Sequence, residues 1–212
     1  MEDEVNDYGN GYQAQDRVKT YFEGADDQLS HNIEVYTPSK RIDAPTEQVG
    51  ESFTAEHPCL GDSGTWDRLV HWWEDYVDCD LGTIRDCDLL LTNAPSSNRG
   101  VARNNQYACA EGGDHIAELP SSYDDRGYND PYDAMETAMH EFAHCVMDGI
   151  DDGSSYNEHA VGDTIEHSGI YYETMMTNEI QDSNECGQNV NSSDGGYKMR
   201  WDDCCESKME HT

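Results

Sequence analysis

One stretch restricts this chain more than any other: Ala138-Met139-His140-Glu141-Phe142-Ala143-His144-Cys145-Val146-Met147-Asp148. Within it His140, Glu141 and His144 spell H-E-x-x-H. On a helix of 3.6 residues per turn, side chains four apart share a face, so both imidazoles can reach one metal ion. Glu141, one step on, is placed to hydrogen-bond a water at that ion. Two histidines, a third ligand from elsewhere and a carboxylate base form a donor set for zinc-assisted hydrolysis. The flanks favour a helix over 131–148. Asp130 reads as an N-cap and Pro131 as the first helical residue, with Asp133 adding an acid where the helix dipole welcomes it. Met135, Ala138, Phe142, Val146 and Gly149 recur at steps of three and four, a buried stripe that leaves both histidines to one side. Gly149 reads as the stop. The plain alternative is an amphipathic helix with two satisfied histidines; the motif on a capped segment weighs for zinc.

Charge sets the surroundings. Asp and Glu total 45 against 12 Lys and Arg, a formal net charge of -33 over 212 residues. The acids run the whole length, unlike a disordered acidic tail on a neutral core. Such a balance fits a protein of hypersaline surroundings, where salt screens the self-repulsion. Low hydrophobicity with high charge also marks disorder, but four Trp, thirteen Tyr and clear helical periodicity speak for a folded chain. The charge speaks against nucleic acid or an anionic membrane as partner. No run of eighteen apolar residues exists to span a bilayer. Met1-Glu2-Asp3-Glu4 is no signal peptide, so the chain reads as intracellular or as the mature form of an exported protein. The eight cysteines favour export: they are even in number, contain no C-x-x-C, and predict disulfides. Cys145, beside His144, is the exception and reads as a buried thiol.

Along the chain, residues 1–30 predict an arm or short helix carrying Val18, Tyr21 and Phe22. Residues 32–37 have strand composition, and 39–64 read as loop. Trp66, Leu69, Val70, Trp73, Tyr76 and Val77 predict an amphipathic helix over 65–78, with His71 and Trp72 off its stripe. Asp88-Leu89-Leu90-Leu91-Thr92 predicts a buried strand, Gly100 to Ala110 a polar edge strand, and His115-Ile116-Ala117-Glu118-Leu119 a further strand. Beyond Gly149 the chain is loop-rich, with an apolar patch at Gly169–Thr177.

This order of elements resembles the metzincin zinc endopeptidases, above all their reprolysin-like branch. The residues that carry the resemblance are Asp88-Leu89-Leu90-Leu91-Thr92, Gly100-Val101-Ala102, Cys109 and H-E-x-x-H, across roughly 66–177. The resemblance implies that Thr174-Met175-Met176 is the Met-turn, with Met176 under the metal. It also implies a disulfide from Cys109 to Cys204 or Cys205. The family pattern continues with a Gly and a third His, yet Met147 and Ile150 stand there. The third ligand is then expected downstream, among Asp148, Asp151, Asp152, Glu158, His159 and His167. His159 is preferred, because imidazole commonly completes a His-His zinc site and the chain can turn back at Gly149 or Gly153. A rival resemblance, to gluzincins, makes Glu158 the ligand, with Asp163 beyond it.

The expected fold is α+β: a small twisted mixed sheet, a backing helix, an active-site zinc helix and a loop-rich, disulfide-tied C-terminal lobe. The chain reads as one catalytic domain, 1–212, with an upper lobe over 1–148 and a lower lobe over 149–212. The expected function is zinc-dependent endopeptidase activity outside a salt-loving cell, by a monomer. Its ligands are His140, His144 and His159, and Glu141 is the general base. A peptide or protein substrate would pair along the edge strand near 100–109. The alternative of another class is a non-catalytic zinc-containing binding or structural protein, which would have no need of Glu141.

Overall fold

The computed structural model describes residues 3–26, 33–37, 42–82, 86–94, 99–104, 106–147, 161–177, 183–184, 186–191 and 195–209. Helix α1 (Asp3–Asp26) fills most of the stretch where an arm or a short helix was expected. Ala14, Val18, Tyr21, Phe22 and Ala25 fall at helical steps and are all buried. Tyr21 sits edge-on to Tyr123 and Tyr132. Phe22 packs edge-on against Phe142 and Trp201, with centroids 5.2 and 5.9 Å apart. Residues 33–37, predicted as a strand, have no regular structure. Ile33 and Val35 do turn toward the core, but no described strand pairs with them.

The stretch predicted as loop contains a hairpin, β1 (Phe53–Glu56) and β2 (Ser63–Trp66), closed by the stacked Phe53 and Trp66 rings. Trp66 therefore ends a strand. Helix α2 (Leu69–Tyr76) follows and continues as a π-helical turn, Val77–Leu81. Leu69, Val70, Trp73 and Val77 are buried as the periodicity predicts. Trp72, expected off the stripe, is buried too: the apolar sector of so short a helix is wider than a seam. A disulfide, Cys59–Cys79, ties the hairpin loop to the π-helical turn.

Strand β3 (Asp88–Leu91) forms where expected. The predicted edge strand folds instead into two, β4 (Gly100–Arg103) and β5 (Tyr107–Ala110), around a turn where Asn104 has φ 55°. The sheet order is β3-β5-β4, with β5 parallel to β3 and antiparallel to β4. Of these two, β4 lies on an edge and β5 is central, with all four of its residues buried. This corrects the placing of Cys109, which lies on the central strand in a core built with α2 and β3. Cys204 and Cys205 belong to the other core, and Cys204 pairs with Cys186. Cys109 is thus a buried thiol, and the implied Cys109 disulfide is absent.

Residues 113–117 form helix α3 (Gly113–Ala117), where a strand was predicted. Gly112, at φ 87°, turns the chain into it, and Ile116 and Leu119 bury in the core that α1 also lines. Strand β6 (Arg126–Gly127) leads to helix α4 (Asp130–Val146), which carries the motif. Beyond it come β7 (Thr164–His167), β8 (Ile170–Glu173), β9 (Tyr197–Lys198) and α5 (Asp203–Glu206). The second sheet has the order β6-β9-β8-β7. Because β6 precedes α4 and pairs with β9, residues on both sides of position 148 share one sheet. The fold is α+β with small mixed sheets and two disulfides. No described helix is long and apolar enough to cross a membrane.

Candidate active site

Helix α4 has Asn129 as its N-cap residue, one position before the expected Asp130, with Asp130, Pro131 and Asp133 in its first turn. Met135, Ala138, Met139 and Ala143 are fully buried, and Phe142 packs under Phe22 and Trp201. This inward face fixes the rotation of the helix. The opposite side turns His140 and Glu141 toward a cleft.

The helix ends three residues before Gly149. Met147 is extended (φ -84°, ψ 132°), fully buried, and bridges to Met209. Tertiary pairing, with no left-handed glycine, stops the helix, and it does so at the position where metzincins carry their Gly.

The His140 and His144 rings meet at 77°, with Nε2 atoms 3.2 Å apart. Two zinc–nitrogen bonds of about 2.0–2.1 Å at the tetrahedral angle put their nitrogens about 3.3 Å apart, so this pair fits one zinc ion. Burial pushes His144 down to about 4, which keeps its imidazole neutral, as a metal ligand must be. His140 turns its other nitrogen, Nδ1, toward Glu136 Oε1 at 3.8 Å. A carboxylate behind a ligating imidazole holds the ring in place. Burial, then the charge of Asp133, pushes Glu136 up to about 7. Burial, then the charge of Glu136, pushes Glu141 up to about 8.

The cleft, of ≈ 630 Å³, is lined by His140, Glu141, Glu136 and Thr137 on one side. Gly100 and Val101 of β4, with Arg99 and Arg68, line another, and Val49, Gly50 and Glu51 close it. Strand β4 comes very near the helix at Gly100. A Cβ built there would lie 2.4 Å from Glu141 Cγ and 2.6 Å from its Oε1. The Val49–Glu51 wall went unnoticed in the sequence because its anchors are distant. Val49 N donates to the buried Glu111 Oε1 at 3.0 Å, and Thr92 Oγ1 donates to Glu47 O at 2.6 Å. A buried acid right after an apolar strand was the available signal.

On the helix itself, Cys145 is buried beside the Cys87 thiol, which burial pushes well up. Met175 and Met176 are buried in the core that also holds Met139, Ala143 and Met147. Met176 has φ 67°, a left-handed turn that Thr174 and Thr177 pin by donating to Asp163 O, each at 2.8 Å. His167 is exposed at the end of β7. Asp148, Asp151, Asp152, Glu158 and His159 lie outside the described residues. Among the described residues no group of three or more His, Cys, Asp or Glu is gathered to hold a metal. No protein-family model, curated protein or solved structure matches this chain. Its site must speak for itself.

Proposed function

We propose that this chain is a zinc-dependent endopeptidase. The observation that carries the reading is the convergence of His140 and His144 Nε2, 3.2 Å apart, with Glu141 next to them in the wall of an open cleft. A zinc ion would supply Lewis-acid chemistry, polarising a carbonyl and making water acidic near neutral pH. Glu141 takes the proton from the attacking water and returns it to the leaving amine. Its desolvated position raises its basicity, which suits that shuttle. Glu136 stands behind the His140 ring, 3.8 Å from Nδ1, and strand β4, whose outer edge pairs with no described strand, offers backbone groups to an extended peptide. A purely structural zinc site would close with four protein ligands and would not border a cleft.

Metzincin kinship is part of this proposal. Its support is the end of α4 at Met147 and the buried Met176 turn in the same core. Two disulfides support an exported protein, and the charge of -33 a hypersaline setting. Zinc analysis together with a protein-digestion assay in multimolar salt tests the reading; a chain that binds no zinc and cuts nothing ends it.

His159 remains the proposed third ligand, with Glu158 and His167 behind it. His159→Ala is expected to lower zinc affinity by orders of magnitude, and His167→Ala to leave it alone. If competition titration against a chelator finds the loss in Glu158→Ala instead, the gluzincin arrangement replaces this one.

Gly100→Ala should push the Glu141 carboxylate aside, because no room exists for the new methyl. About a hundredfold loss of hydrolysis is expected from a shift on the order of 1 Å, with zinc content unchanged. Undiminished turnover in that variant would place the reacting centre away from β4.

A further inference from the structure

Cations are scarce in this chain, 12 against 45 acids, and most described ones are committed. Arg17 donates to Leu119 O; Lys19 meets Glu23; Arg103 meets Glu74; Arg126 and Lys198 meet Asp125. Arg68 and Arg99 differ. Both are exposed, both line the cleft that holds His140 and Glu141, and neither is ion-paired to any described residue. Glu51 faces the same space without pairing to either. Two guanidinium groups with no ion-pair partner among the described residues therefore stand in the cleft that His140 and Glu141 line.

We propose that Arg68 and Arg99 form a carboxylate-binding subsite, so that the substrates are peptides carrying a carboxylate close to the bond that is cut. The inference rests on the peptidase reading and adds the substrate class to it. The physical need is plain. In the salt that screens a net charge of -33, long-range forces vanish and only contact pairs remain, so an acidic peptide is held by cations that touch it in the cleft. Guanidinium suits the task, since its fork of N–H donors grips a carboxylate with two parallel hydrogen bonds. Position sets the register. Arg99 directly precedes Gly100, whose backbone touches Glu141. An extended peptide advances about 3.4 Å per residue along β4, so Arg99 reaches a group within about two residues of the scissile bond. The carboxylate can come from an Asp or Glu side chain or from a peptide C-terminus.

The test uses the zinc-loaded chain in the salt that keeps it folded, with three quenched fluorescent peptides. One carries Glu and a C-terminal amide, one Gln and an amide, and one Gln and a free C-terminus. kcat/KM for the Glu peptide is expected to exceed that for the Gln amide about 10- to 100-fold, the usual worth of a charge-assisted hydrogen bond. Preference for the free C-terminus in place of Glu keeps the subsite and assigns its source. In Arg68→Gln and Arg99→Gln the ratio should fall toward one, while Arg126→Gln, outside the cleft, keeps it. Equal rates for all three peptides, or a preference that survives both cleft variants, overturns the subsite while leaving the peptidase reading intact. If no peptide is cut, the peptidase reading fails. Affinities of the same peptides for zinc-loaded Glu141→Gln then still decide the subsite, because binding needs no turnover.

Discussion

Glu141→Gln is expected to keep one zinc per chain and to lose peptide hydrolysis by about 100- to 10,000-fold, the span a positioned general base contributes. The amide keeps the shape of the carboxylate, ligates nothing that the carboxylate ligated, and cannot accept a proton. Metal content and turnover should therefore separate in this variant. They should fall together in His144→Ala, which removes a proposed ligand. A second readout comes from the zinc-free protein. Glu141 has its folded pKa raised to about 8, so the unfolded state releases its proton first as pH rises. The stability this group contributes is fully present below about 4.5 and is lost as pH climbs to 8. His144, pushed down to about 4, works oppositely but only below about pH 6.5. Between pH 6.5 and 8 the zinc-free wild type should thus lose stability, on the order of 1–2 kcal/mol from this group, and Glu141→Gln should lose less. Chemical denaturation across that window, together with zinc analysis and a peptide assay, reads all three. Full activity in Glu141→Gln would remove the mechanism.

Salt should decide whether the chain is folded at all. At about 10 mM salt the screening length is about 30 Å, so every carboxylate feels most of the others; at about 1 M it is near 3 Å and only contacts remain. With a net charge of -33, unfolding is the obvious relief at low salt. Recovery of even about 5–10 kcal/mol through screening is worth roughly 10–30 °C in Tm for a chain of this length. Thermal unfolding followed by circular dichroism from about 0.05 to 3 M KCl should show that rise. A flat Tm would mean that the acids are balanced in some other way, and the hypersaline setting would go with it.

The parts that could be read from the residues are those whose own side chains decide them. Helix α4 has Pro131 and acids in its first turn, a buried stripe and the His140/His144 spacing; α2 has Leu69, Val70, Trp73 and Val77 at helical steps; β3 is a short apolar run. What could not be read depends on distant partners. The α3 segment is apolar enough for a strand or a helix, and packing beside α1 chooses the helix. The β1–β2 hairpin has a single aromatic pair and otherwise Thr, Ala, Ser, Gly and Glu, so the alternation of Phe53-Thr54-Ala55-Glu56 is too short and too weakly apolar to announce it. Among its described side chains helix α1 buries five sparse residues in a polar run, too few to reveal its length before Tyr123, Tyr132, Phe142 and Trp201 are in place. In the site, the Glu141 contact with Gly100 and the Val49–Glu51 wall are products of the same long-range packing.

The bridge between Met147 and Met209 makes the exit from the motif helix a shared property of two far-apart segments. Met209 follows α5, and α5 begins at Asp203, just before Cys204 of the Cys186–Cys204 disulfide. Asp202 fixes that helix by accepting from Cys205 N at 2.8 Å. The segment leaving His144 is therefore latched by a clasp whose stiffness depends on a sulfur–sulfur bond some sixty positions later in the chain. Reduction of that bond would slacken the pairing at Met147 while leaving α4 and both imidazoles in place, so the end of the motif helix answers to chemistry carried out far from it in the chain.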